Sequence, residues 1–228
     1  MSIEKVTQIN NIIEMCYTVP YWHLFLLDID DTLIRFKDEE CPNMWFRDRF
    51  SKLNFRFKNG KFWSYNNLDY IRLIKEFNNR ISNKNLFSRP TFDSVSESYV
   101  FKDNIWGFTA RGLELYKTTE HLLRCHNIYF SVIKDHNPHY RKVFHNRGGS
   151  RSGVASKRIL YCGGYDKGEC LGWLFNNLIN IDDYTTIRFV DDSLYNLESV
   201  EAYLAEFHPN KHFIGYHYVP GYNQTNID

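Results

Sequence analysis

Apolar residues in this chain fall into two kinds of pattern, short unbroken runs and longer stretches with helical spacing, and the two alternate. The run Trp22-His23-Leu24-Phe25-Leu26-Leu27 is nearly all apolar, as expected of a strand covered on both faces in a parallel sheet. Similar runs recur at 104–108, 158–162, 186–190 and 212–216. Between several of them the spacing predicts helices. Leu171, Leu174, Phe175 and Leu178 share one face, and Leu194, Leu197, Val200, Leu204 and Phe207 share another. A further amphipathic helix is expected over 3–16, from Ile3, Val6, Ile9, Ile12 and Ile13, with Pro20 ending it. Strand-helix alternation of this sort predicts an α/β fold.

Two segments interrupt the alternation. Residues 36–103 hold one good helix, with Asn67 as a candidate cap before Leu68, Ile71, Ile74, Phe77 and Ile81. The segment reads as an inserted, mainly helical cap. The expected organisation is therefore a core of 1–35 and 104–228 with 36–103 inserted after the first core strand. A polar stretch over 134–157, rich in histidine, arginine and glycine, reads as a mobile loop.

Charge and composition narrow the options. Lysine and arginine number 28 against 27 aspartates and glutamates, so no overall field draws the chain to nucleic acid or an anionic membrane. Any phosphate must be met locally. No stretch approaches the roughly 18 apolar residues of a membrane span, and the N-terminus carries no cleavable apolar leader, so a soluble protein is expected. The five cysteines are scattered without paired metal spacing, which fits a reducing, cytoplasmic type of compartment.

The candidate chemistry sits where the apolar runs end. Leu27-Asp28-Ile29-Asp30-Asp31-Thr32 sets three carboxylates directly after the first run, at the edge where open α/β sheets bind ligands. Val190-Asp191-Asp192-Ser193 repeats the arrangement. Two acidic strand ends side by side repel, and a hard cation such as magnesium, bound through carboxylates, relieves the repulsion. Thr109, within Gly107-Phe108-Thr109-Ala110-Arg111-Gly112, ends a third run with a hydroxyl placed either to hold a phosphate oxygen or to cap a helix. Gly163-Gly164-Tyr165-Asp166-Lys167-Gly168 delivers a lysine at a helix start. A cation is unfavourable there, so carboxylates or a bound anion must offset it.

In chain order, Asp28-x-Asp30-x-Thr32, Thr109, Lys167 and Asp191-Asp192 resemble the four motifs of the haloacid dehalogenase superfamily. The resemblance implies a Rossmann-like parallel sheet flanked by helices. It also implies a magnesium-dependent phosphatase in which Asp28 attacks phosphorus and Asp30 serves as acid and base. It places magnesium among Asp28, Asp30, Asp191 and Asp192, and gives Thr109, Lys167 and Arg111 the phosphoryl oxygens. An aspartate two residues after the nucleophile resembles the phosphatase and phosphomutase branches. The wording around Asp166-Lys167-Gly168 and Asp191 to Val200 is similar to a subgroup in bacteria that live inside host cells, some of whose members are secreted phosphotyrosine phosphatases. That likeness implies a phosphorylated protein as substrate and export into a host cell, with a small phosphoester as the alternative substrate. Aromatics of the insertion (Trp45, Phe46, Phe55, Phe57, Phe62, Trp63 and Tyr65) would either stack on a tyrosyl ring or form the cap's own core.

Three rival readings are weaker. Cys41 and Arg47 have the spacing of cysteine-dependent phosphatases, but the segment between them is bulky and holds Pro42, unlike a phosphate-wrapping loop. The pairs His136/His139 and His208/His212 share no rigid face that would favour a transition metal. A binding module on a phosphatase-like core would have no need of the full carboxylate set.

Overall fold

A computed structural model of the chain describes residues 2–36, 99–133, 141–147 and 150–219, together with 45, 48–49, 55–58, 61–64, 72–73, 75–77, 79–80 and 88–91. In chain order the elements begin with β1 (Ser2–Val6), α1 (Ile9–Thr18), β2 (His23–Leu27) and β3 (Ile34–Phe36). They continue through β4 (Phe55–Lys58), β5 (Lys61–Ser64), β6 (Ser88–Pro90), β7 (Tyr99–Val100), β8 (Ile105–Thr109), α2 (Tyr116–Cys125) and β9 (Ile128–Tyr129). The last group is β10 (Lys142–Arg147), β11 (Ser150–Val154), β12 (Ile159–Tyr161), α3 (Lys167–Asn177), β13 (Thr186–Asp191), α4 (Leu194–Phe207) and β14 (His212–Tyr218).

The central sheet runs β1-β14-β13-β2-β8-β12-β11-β10. Its first six strands are parallel, and β11 and β10 extend it antiparallel. The expected runs are the inner strands, and they are continuous because each face is covered by helices. Successive side chains of β2 alternate between layers: Phe25 and Leu27 pack with Ile12, Ile13 and Cys16 of α1, while Leu24 and Leu26 pack with Leu171 of α3 and Leu197 of α4. The architecture is the expected Rossmann-like core, with an insertion between β2 and β8. Described parts of the insertion include helical residues between 72 and 80, the β3–β6 pair and the β4–β5 hairpin.

Two expectations need correction. The helix expected over 3–16 begins only at Ile9, and Ser2–Val6 is a strand paired in parallel with β14. Ile3 and Val6 are three apart, which in a strand sends them to opposite layers. Ile3 packs against the α3/α4 side and Val6 against the α1 side. The stretch 134–157, expected to be a loop, contains the β10–β11 hairpin, whose Phe144 stacks on Trp173 of α3 with ring centroids 4.2 Å apart. Asn67, Leu68, Ile71, Ile74 and Ile81 lie outside the described residues, as do Cys41, His136 and His139.

Candidate active site

The order of the inner strands places the carboxylates. β13 lies beside β2 with Val190 opposite Leu27, so Asp28 and Asp191 emerge from adjacent strand ends. The Asp28 amide donates to the Val190 carbonyl at 3.0 Å, which continues the ladder one step past the strand and fixes the backbone of Asp28. Asp28 is 4% exposed and Asp191 is fully buried.

Lys167, the first residue of α3, joins them. Its ammonium donates to Asp28 Oδ1 at 2.7 Å, to Asp191 Oδ2 at 2.6 Å and to the Phe108 carbonyl at 2.7 Å. All three donor positions of the ammonium are spent. The preceding turn makes this possible: Gly163 and Gly164 take positive φ values of 60° and 76°. Their amides donate to the carbonyls of Arg111 and Ala110, tying the turn to the end of β8. Asp166 then caps the helix, accepting from the Glu169 amide at 3.0 Å and from the Ser199 hydroxyl of α4 at 2.7 Å. The unfavourable charge at the helix start is thus offset by two carboxylates, as the sequence required.

Burial opposes the charge on Lys167, yet Asp191 and Asp28 outweigh it and hold the ammonium above its ordinary range. For Asp28 burial dominates and pushes the carboxyl well above its ordinary value; Lys167 pulls it down, and Asp191, Asp192 and Asp30 push it up again. Asp191 is anchored further by the Ser193 amide at 2.8 Å and by the Asn196 amide nitrogen, which donates to both its oxygens at 3.0 and 3.1 Å.

Asp28, Asp191 and Asp192 offer carboxylate oxygens that all lie within 4.8 Å of one another. One ammonium among three carboxylates leaves an excess of negative charge. The donors are all hard oxygens, so the cluster is able to chelate a divalent cation of the magnesium type. The Asp30 carboxylate lies outside this cluster. Arg111, 2% exposed, donates through Nε to Asp30 Oδ2 at 2.9 Å and through a terminal nitrogen to Oδ1 at 2.7 Å. Its other terminal nitrogen donates to the Thr119 hydroxyl at 3.0 Å. The Thr109 hydroxyl also donates to Asp30 Oδ2, at 3.3 Å, and accepts from the Arg111 amide at 3.1 Å.

The structure therefore brings Asp28, Lys167, Asp191 and Asp192 into one cluster and Asp30, Thr109 and Arg111 into an adjoining one. Residues that sequence reasoning assigned no role also appear here: Asn196, Ser199 and Thr119. Asn196 had a legible signal, standing five residues after Asp191 in the first turn of the next helix.

A family described as "Protein of unknown function (DUF2608)" matches residues 2–227. The chain belongs to it. No curated protein and no solved structure matches the chain. For this family member the Rossmann-like fold and the buried aspartate cluster are consistent with a hydrolase of the haloacid dehalogenase superfamily that uses an aspartyl nucleophile. Among the described residues no helix is long and apolar enough to cross a membrane.

Proposed function

We propose that the protein is a magnesium-dependent phosphomonoester hydrolase acting through an aspartyl-phosphate on Asp28. The observation that carries this reading is the Lys167 bridge between Asp28 and Asp191 on neighbouring strand ends. A lysine and three carboxylates converge where an incoming phosphoryl group needs both a nucleophile and neutralising charge.

In the first step an Asp28 carboxylate oxygen forms a bond to phosphorus as the ester oxygen leaves, and Asp30 delivers a proton to that oxygen. In the second, Asp30 accepts a proton from water, the water oxygen attacks phosphorus, and the Asp28–phosphorus bond breaks. Lys167 holds the nucleophile's carboxylate in place and sets its positive charge beside the reacting phosphorus. The Thr109 hydroxyl stays on Asp30 Oδ2, which leaves Oδ1 to the reacting oxygens. Magnesium, held by Asp28, Asp191, Asp192 and the backbone carbonyl of Asp30, would add positive charge against those oxygens.

In this reading residues 36–103 form the substrate-selecting cap over a core of 1–35 and 104–228. The substrate we propose is phosphotyrosine in proteins, and the route to it is secretion into a host cell. The likeness of wording around Lys167 and Asp191 to Val200 supports both, and the aromatic content of the insertion supports the first. Hydrolysis of para-nitrophenyl phosphate by the wild type should require magnesium, and phosphotyrosine peptides should turn over faster than phosphoserine peptides. Metal-independent hydrolysis rejects the mechanism. Equal or reversed peptide rates reject the tyrosine assignment and leave a small-metabolite phosphatase.

A further inference from the structure

Arg111 is buried, and three of its five guanidinium N–H donors are engaged. Its side chain is 1% exposed, three of its guanidinium contacts are made to Asp30 and Thr119, and its backbone amide is spent on Thr109. A guanidinium buried and occupied in this way presents nothing to the crevice. Asp30, whose side chain is 15% exposed, does reach it.

The pattern of donors on Asp30 is uneven. Oδ2 accepts from Arg111 Nε and from the Thr109 hydroxyl, so both of its lone-pair directions are used. Among the described residues, Oδ1 accepts only from the Arg111 terminal nitrogen, at 2.7 Å. Two parallel bonds from a planar fork fix the plane of the carboxylate as well as its position. The oxygen with a lone pair to spare is therefore Oδ1, and the fork determines which way it points. Thr119 in turn locks the fork, and Gly163, whose amide donates to the Arg111 carbonyl at 2.9 Å, pins its backbone to the turn that carries Lys167.

We propose that Arg111 is a positioning residue: it holds the Asp30 carboxylate so that Oδ1 carries the proton to and from the reacting oxygens, and it does not itself touch the phosphoryl group. This rests on the phosphatase reading, and it departs from the phosphate-binding role that the sequence motif suggests for Arg111. A residue that acts through the proton donor matters most where the leaving oxygen most needs a proton. A phosphate ligand matters equally for every ester.

The test compares Arg111→Lys and Arg111→Met with the wild type, in saturating magnesium, on para-nitrophenyl phosphate and on an alkyl ester, glycerol 2-phosphate. The loss of kcat on the alkyl ester should exceed that on the aryl ester by at least about tenfold, the scale on which general acid catalysis acts. KM and the inhibition constant of inorganic phosphate should stay within about twofold. The lysine variant should recover part of the loss, and Arg111→Met should add nothing to the loss already present in Asp30→Asn. Equal losses on both esters with a weakened inhibition constant for phosphate would overturn the proposal. Should the wild type hydrolyse no ester, the phosphatase reading falls by itself. Urea midpoints of Arg111→Met, Asp30→Asn and the double variant then decide the pairing: non-additive shifts support it, and additive shifts overturn it.

Discussion

Lys167 meets Asp28 at 2.7 Å although 139 residues of chain separate them, and neither side chain is more than 5% exposed. A contact of this kind is costly to assemble, because both charges leave water, and it persists here because Asp191 shares the ammonium. The consequences of that sharing can be measured.

Replacing Lys167 by methionine keeps the volume and leaves Asp28 and Asp191 buried without their cation. The metal-free variant should lose about 3–5 kcal/mol of stability at neutral pH. Asp28 already sits above its ordinary range through burial, and losing Lys167 removes what pulls it down. A folded-state value raised above the unfolded one gives stability that is present at low pH and lost as pH rises through the folded value. The deficit of Lys167→Met should therefore shrink as pH is lowered from neutral. Urea unfolding with a chelator present reads this. Hydrolysis should fall about a hundredfold or more.

Asn196 donates to both oxygens of Asp191. Asn196→Ala removes one donor from each oxygen and leaves Asp191 held by the Ser193 amide and Lys167, and magnesium titrations of activity should show an apparent affinity about 10–100-fold weaker, with kcat at saturating metal much less affected. An unchanged titration curve would separate Asp191 from the cation.

Gly168 follows Lys167 in the first turn of α3. A Cβ there would stand 2.5 Å from the Ser199 carbonyl of α4, a backbone atom that cannot step aside. Gly168→Ala should cost about 1–3 kcal/mol in thermal or urea unfolding and also lower kcat, because the shift moves Lys167. Gly172→Ala, one turn on, meets the ring and hydroxyl of Tyr203 instead, and should lower stability with a smaller effect on kcat.

The inner strands were legible because burial on both faces makes each of them a continuous apolar run, and a run's end shows where carboxylates will stand. Lys167 was legible for an electrostatic reason, its charge being wrong for a helix start unless acids lie near. β1 was misread since Ile3 and Val6 satisfy helical spacing equally well; only the free edge of β14 decides for a strand. The β10–β11 hairpin was missed because its polar residues hide a period of two, although the Gly148-Gly149 pair between its strands is a hairpin signal. The Arg111–Asp30 fork was not legible at all. It depends on where two strand ends meet in space, and the family resemblance alone pointed Arg111 toward phosphate.

The measurement closest to the central claim is the location of the phosphoryl group during turnover. Acid-quenched protein, digested and mapped, should carry a hydroxylamine-sensitive acyl phosphate on Asp28, and Asp28→Asn should carry none and release no phosphate. Phosphate found on another residue, or turnover by Asp28→Asn, would contradict the account.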